Sequence, residues 1–280
     1  MHRLAGLVDL EHYPLQQLES ETGRTLIDSV RARLTEQGCA VLPGFIQPDK
    51  CAELTDETGS IADQAYFKEE VVNVYNQDPF QHYADDHPGR HQMVRGNAFV
   101  ARDQIPEQQV VQRLYGDESF KQFLSHCFSV PKLYELADPL SGLCINVLKP
   151  GKQHPWHFDT NEFTVSLLTQ SAEAGGSFQF VPNVRDADNE NLASVDAVLT
   201  GEGEQQITTL DLRPGDLQLF KGRYALHRVS EVKGDRRRLT TIFAYSQQPG
   251  LMGTAERSRQ LFGRYLPVHR ETQAFDRLMD

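Results

Sequence analysis

Residues 143–160 read LCINVLKPGKQHPWHFDT. Leu143–Leu148 form a short apolar run that stops at Lys149-Pro150-Gly151, after which an extended stretch resumes near His154. A run of that length closed by a Pro-Gly pair predicts a strand and a turn. The same rhythm continues downstream. Phe163–Leu168 alternates, Gly175-Gly176 precedes SFQFV, and Ile207–Leu212 ends at Arg213-Pro214-Gly215-Asp216. Leu217–Phe220 meets Gly222, and Leu239–Tyr245 closes at Pro249-Gly250. Short strands punctuated by turns predict a sandwich or jelly roll. The 184–204 stretch carries Asp186, Asp188, Glu190, Asp196, Glu202 and Glu204 and reads as an acidic excursion on its rim.

Upstream the periodicity is helical. Leu26, Ile27, Val30 and Leu34 recur at helical spacing after Thr22/Thr25, and Gly38 stands where a helix stop belongs. Ala40–Leu42 predicts a short strand before Pro43-Gly44, and a second helix is expected near Pro48-Asp49 with Asp49 as N-cap. Phe120, Phe123, Leu124 and Phe128 form a further helical stripe, whereas residues 76–92 lack any period and predict a long loop. His82, His87 and His91 in that loop match no metal-ligand spacing and read as a solvated lid. A last helix is expected at Ala255–Leu261.

The 280 residues carry 39 Asp+Glu against 28 Lys+Arg, a formal net charge of −11, which argues against nucleic acid or an anionic membrane surface as partner. Cys39, Cys51, Cys127 and Cys144 contain no CxxC pair, so the expectation is reduced thiols in a cytoplasm. Asp9 and Glu11 interrupt any apolar signal core, and no apolar run is long enough for a membrane span.

The chemistry concentrates at His157 and Asp159. In an extended chain residues two apart point to the same side, so an imidazole nitrogen and a carboxylate oxygen converge on one cation. His227, within GRYALHRV, is the natural third ligand. Two histidines and one carboxylate leave positions open on an octahedral metal, which suits non-haem Fe(II). Eleven residues further on, Arg238 leads into a strand-patterned run. Alternation places Arg238, Thr240, Ile242 and Ala244 on one side, with Arg236 joining them if the strand extends back, and Arg237 outward. A guanidinium aimed into a barrel is costly unless it meets a carboxylate, and the distal carboxylate of 2-oxoglutarate supplies one.

HPWHFDTNEF, GGSFQFVPNVR, RPGDLQLFKG, LHRVSEV and RLTTIFAYSQQPG, in that order, resemble the Fe(II)/2-oxoglutarate-dependent oxygenases with a double-stranded β-helix core. More narrowly they resemble the branch containing the free-amino-acid radical halogenases and their hydroxylase relatives. The likeness covers roughly residues 90–265. It implies an α+β chain whose jelly-roll core is flanked by N-terminal helices and a C-terminal helix. It also implies that His157, Asp159 and His227 hold iron, that Arg238 anchors 2-oxoglutarate, and that O2 is consumed as the cosubstrate is decarboxylated to succinate. Halogenases of this branch carry a small residue where this chain has Asp159, because halide needs the position a carboxylate fills; Asp159 therefore implies hydroxylation. By the same resemblance His154 and Arg95 hold an amino-acid substrate. For Arg95 a surface salt bridge and for His154 a loop position are the competing readings, and Trp156 is divided between core packing and the pocket lining.

The expectation is one domain over residues 1–280. Residues 1–140 would be mainly helical flank and lid, 141–250 the β core, and 251–280 the C-terminal helix and tail. Its function would be hydroxylation of a small molecule, most simply a free amino acid. A cupin-like jelly-roll enzyme without 2-oxoglutarate, a non-catalytic sensor of the same fold and an oxygenase of protein side chains are the alternatives. Arg238 separates the first of these from the main reading, and the complete triad argues against the second.

Overall fold

The computed structural model describes residues 4–77, 83–161 and 163–271. Helices α1 (Glu21–Glu36), α2 (Cys51–Ile61), α3 (Val110–Tyr115) and α4 (Glu118–Phe128) lie in the first half. Among and after them run β1 (Cys39–Leu42), β2 (Glu70–Val72), β3 (Met93–Arg95), β4 (Ala98–Val100) and β5 (Tyr134–Glu135). Next come β6 (Leu143–Leu148), β7 (His154–His157), β8 (Thr164–Gln170), β9 (Ala174–Gly175), β10 (Phe178–Val181) and helix α5 (Leu192–Thr200). Strands β11 (Thr208–Leu210), β12 (Leu217–Phe220), β13 (Leu226–Val229), β14 (Val232–Lys233), β15 (Arg238–Phe243) and β16 (Tyr245–Ser246) precede α6 (Ala255–Phe262) and α7 (Val268–Glu271).

Two antiparallel sheets carry the architecture. The larger has the order β1-β12-β8-β15-β6-β4 and the smaller β11-β10-β13-β7. The larger sheet has two faces of opposite character, and strand alternation explains both. Ile145, Val147, Val165, Leu167, Leu217 and Leu239 occupy one face, fully buried in a cluster with Val30, Leu54, Leu114 and Phe120 from the four helices. On the other face Thr240 stands opposite Asn146 and Ser166 opposite Gln218, with Arg238 at the start of β15. Arg238, Asn146, Gln218 and Thr240 are each less than a tenth exposed. Leu148, Leu168 and Phe220 share that face, so it is a mixed one, and its buried polar side chains are costly unless each finds a partner, as Ser166 and Gln218 do in each other.

The helices follow their sequence signals closely. Ser20 caps α1 by accepting from the Gly23 N–H at 3.0 Å, and Gly38 follows its end at φ +68°, a conformation glycine adopts without strain. At α2 the expected Asp49 cap is replaced by a 3₁₀ turn over Pro48–Lys50 that runs straight into the helix. Two larger expectations need correcting. The sheet is not confined to residues 141–250, because β1, the strand expected at Ala40–Leu42, and β4 close its two edges; the three residues of β4 are too few to announce themselves by period. The 184–204 excursion is also more than a charged rim. It contains α5, whose Val195 and Val198 are buried against Trp156 and Phe158, an i, i+3 apolar pair hidden among acidic neighbours.

Arg237 faces outward to an ion pair with Asp63 at 2.6 Å. Arg236 is exposed because β15 begins only at Arg238. Of the loop histidines, His82 lies outside the described residues. His87 accepts from the Gly89 N–H and His91 meets Asp196 at 2.8 Å, so both have structural partners. No helix among the described residues is long and apolar enough to cross a membrane.

The contrast between the two faces makes a stability prediction. Leu167→Ala should lower the unfolding free energy by about 2–5 kcal/mol, whereas Ser166→Ala on the polar face should cost about 1 kcal/mol or less. Urea denaturation measures both, and equal losses would contradict the division of labour.

Candidate metal centre

Strands β7 and β13 are neighbours, and their register sets His157 directly opposite His227. Two residues further along β13, Val229 pairs with His154, so a step of three residues on β7 matches a step of two on β13. That extra residue is a β-bulge at Pro155-Trp156, where a proline costs the ladder little. The bulge turns His154 to the same side as His157, and their rings stack with centroids 3.7 Å apart at 19°. Plain alternation would have separated them.

Beyond β7 the chain stays extended. The Phe158 N–H donates to the Val74 carbonyl and the Asp159 N–H to the Gly222 carbonyl. Phe158 points away from the site, under the Arg185 guanidinium at 3.7 Å, while His157 and Asp159 share the inner side. Asp159 Oδ1 lies 3.6 Å from His157 Nε2 and 3.4 Å from His227 Nε2, and one donor atom from each residue falls within 4.8 Å of the others.

Each imidazole is oriented by its own strand. His157 Nδ1 lies 2.8 Å from the Pro155 carbonyl and His227 Nδ1 3.0 Å from that of Ala225. A proton on Nδ1 donated to a carbonyl leaves the Nε2 lone pair facing Asp159, the tautomer a metal requires. Burial first, and His227 second, push His157 down to about 4. Burial alone would raise Asp159, but the two imidazoles beside it outweigh burial and hold it well below the ordinary carboxylate range. Near neutral pH His157 is therefore unprotonated and Asp159 anionic, as a metal requires of its ligands. Two imidazole nitrogens and one carboxylate oxygen at these separations fit a divalent transition metal with open positions.

Gly222 makes room for this carboxylate. A Cβ at that position would lie 2.0 Å from Asp159 Oδ2, so only glycine tolerates the approach. The Oδ2 atom accepts from Thr164 Oγ1 at 2.7 Å. Phe220 meets His227 edge-on at 4.8 Å and Phe178 stacks on it at 5.6 Å, walling that imidazole from water.

The other predicted residues separate into those brought to the site and those kept from it. Arg238 is buried, with Nη1 donating to Thr240 Oγ1, and no carboxylate forms an ion pair with it among the described residues. Burial pulls it down to about 10, which still leaves it cationic at neutral pH. It lines a cavity of about 290 Å³ that reaches Phe178, the ring packed on His227. His154 Nε2 and Asn97 Oδ1 are buried polar atoms without a hydrogen-bond partner among the described residues, and the two side chains approach at 3.5 Å. Arg95, opposite Glu70 in the β2–β3 ribbon, is ion-paired with it and buried, so its salt bridge is an interior one. Trp156 turns outward into the apolar cluster beneath α5, with Arg228 over its ring at 4.6 Å; it is not brought to the triad.

Asn97, Thr164 and Gln218 drew no attention in sequence, and Gly222 only as the turn after Leu217–Phe220. Their signal is a polar or glycine residue at the inner register of an otherwise apolar strand or its end, which is legible only once the faces are assigned. Gly222→Ala should displace Asp159 and weaken Co(II) binding by about 10- to 100-fold, measured by equilibrium dialysis. Unchanged affinity would show that the cluster is not the metal site.

A family model described as Halogenase D (HalD) matches residues 22–262. Among curated protein sequences none matches significantly. The non-heme alpha ketoglutarate dependent carbocyclase SnoK from nogalamycin biosynthesis superposes with a TM-score of 0.53 at 15% identity, over 85% of this chain and 92% of that one. AviO1 from Streptomyces viridochromogenes Tue57 gives 0.52 at 15% identity, over 80% and 96%. A Trichoplax adhaerens prolyl hydroxylase in complex with a hypoxia inducible factor peptide fragment gives 0.50 at 14%, over 81% and 92%. At such identities these structures speak for a shared fold alone. The family model, in contrast, spans most of the sequence, and the chain belongs to the Halogenase D family.

Proposed function

We propose that this chain is an Fe(II)- and 2-oxoglutarate-dependent dioxygenase that hydroxylates an unactivated C–H bond of a small molecule, a free amino acid or close derivative. On this reading residues 1–280 form one domain, and the two sheets are the halves of a double-stranded β-helix. The observation that carries it is a His-Asp-His donor set whose His227 packs on Phe178, together with a buried arginine, without an acidic partner among the described residues, that lines a cavity reaching the same Phe178. A buried unpaired cation is costly, and an anionic ligand offsets that cost. A cupin-like metal enzyme without 2-oxoglutarate would have no use for Arg238, and a sensor with a silent site would have no need to keep three ligands aligned.

His157, Asp159 and His227 would hold the iron, while Arg238 and Thr240 would receive the distal carboxylate of 2-oxoglutarate. When bound, iron and cosubstrate supply dioxygen activation coupled to decarboxylation to succinate. Phe178 and Phe220 keep water from the His227 side. His154 Nε2 and Asn97 Oδ1 offer hydrogen bonds to a polar substrate beside His157. Arg95 offers a substrate carboxylate those of its five N–H donors that Glu70 leaves free. Trp156, facing the cluster under α5, has no part in substrate contact. The free thiols of Cys39, Cys51, Cys127 and Cys144 suit a reducing cytoplasm.

The family description favours a second reading, halogenation. Asp159 supports hydroxylation over it, since the carboxylate takes the coordination position that a halide would need. Fe(II), 2-oxoglutarate, O2 and a panel of free amino acids should release succinate and yield a product one oxygen heavier by mass spectrometry. A chlorinated product formed by the unmodified chain in chloride would overturn the hydroxylase assignment, and substrate-independent failure to release succinate would overturn the oxygenase reading.

Arg238→Ala should weaken 2-oxoglutarate binding by about 2–5 kcal/mol, a factor of roughly 30 or more, with Fe(II) affinity retained. Anaerobic calorimetry separates the two constants, and unchanged cosubstrate affinity would remove the anchor assignment.

A further inference from the structure

The two oxygens of Asp159 stand in different surroundings. Oδ1 faces both histidine Nε2 atoms, at 3.6 and 3.4 Å. Oδ2 turns away, accepts the Thr164 hydroxyl at 2.7 Å, and lies against Gly222, where no side chain fits. These restraints come from the larger sheet, whereas the histidines stand on the smaller. Thr164 opens β8 opposite Phe220 of β12, and Gly222 follows two residues later. The pairing of β8 with β12 therefore sets both sides of the Oδ2 site, and the carboxylate joins the two sheets at the metal centre.

We propose that Thr164 is a positioning residue that confines Asp159 to ligation through Oδ1 alone, and so keeps three metal positions open. The inference rests on the reading of the triad as an Fe(II) and 2-oxoglutarate site. On an octahedral ion two imidazoles and one oxygen leave three positions. A chelating 2-oxo acid takes two and dioxygen needs the third. A carboxylate free to ligate through both oxygens would occupy one more, leaving room for the chelate and none for dioxygen. Engaging Oδ2 with a hydroxyl donor prevents this. The hydroxyl serves because it is short, neutral and fixed by a strand, so it restrains the carboxylate without competing for the metal.

The test compares the full chain with Thr164→Val, which keeps the shape and loses the hydroxyl, and Thr164→Ser, which restores the hydroxyl. Nitric oxide serves as the dioxygen surrogate, followed by electron paramagnetic resonance of the anaerobic Fe(II)–2-oxoglutarate form. Thr164→Val should keep Fe(II) and 2-oxoglutarate affinity and the unfolding midpoint, yet lose nitric oxide affinity by about tenfold or more, with Thr164→Ser close to the unmodified chain. Crystals of the Co(II)-loaded proteins should show one Asp159 oxygen on the metal in the unmodified and Ser forms and two in the Val form. Unchanged nitric oxide affinity in Thr164→Val, or one-oxygen ligation in its crystals, overturns the proposal. Parallel loss of metal affinity and unfolding midpoint in Thr164→Val would assign the hydroxyl a merely structural role and overturn it too. The crystal comparison needs no cosubstrate. An unmodified chain that binds Co(II) but not 2-oxoglutarate would therefore sink the oxygenase reading while the ligation of Asp159 is still decided.

Discussion

His157 and His227 face one another across two neighbouring antiparallel strands, and the rest of the site depends on that register. A slip of one residue would turn one imidazole to the opposite face of the sheet, because side chains alternate with a period of two. The register is secured from both sides. Phe158, between the two ligands of the HxD pair, is buried with Val74 and Val195 and covered by Arg185, while the His227 ring is wedged against Phe178 and Phe220. The bulge in β7 then adds His154 to the inner side without disturbing the pair. The donor set is thus a property of strand pairing, and each imidazole needs only its own backbone carbonyl to select its tautomer.

The larger sheet contributes in a different way. Its outer face is held by helices α1 to α4 through a continuous apolar cluster, which supplies the stability that its inner face gives up. That inner face carries Asn146, Ser166, Gln218, Thr240 and Arg238, side chains that would be poor choices for a dry core. The chain therefore places its apolar helix-facing packing and its buried polar side chains on opposite sides of the same strands. The overall charge of −11 says nothing of this interior, where Arg238 has no acidic partner among the described residues and lines a cavity that reaches Phe178, the ring stacked on His227.

Several parts were legible before any coordinates. The Pro-Gly turns located the strands, the stripes at Ile27, Val30 and Leu34 and at Phe120, Phe123 and Leu124 located two helices, and the HxD spacing placed two donors on one side. Arg238 stood out because an arginine opening an apolar strand needs a reason to be there. Other features left no local trace. The edge strand β4 is too short for a periodic signal, and the apolar side of α5 is masked by its acidic flanks. The side chain of Trp156 is equally suited to a pocket or to packing, and only its apolar neighbours distinguish the two; the pairing of Arg95 with Glu70 is likewise invisible until the strands are paired.

The sequence by itself determined the strand and helix periods, the pair His157 and Asp159 on one side, and the residue types able to hold a metal and an oxo acid. These are local properties, set by backbone geometry over two to four residues. Tertiary structure alone decided that His227, the third ligand read from the sequence, stands directly opposite His157, and that His154 joins the inner side through a bulge. It also decided that Asp159 is gripped between Thr164 and Gly222, residues 5 and 63 positions further along the chain. Cross-strand register and the spacing between two sheets are long-range quantities. They arise only when the whole apolar pattern is satisfied at once, so no short stretch of the chain encodes them.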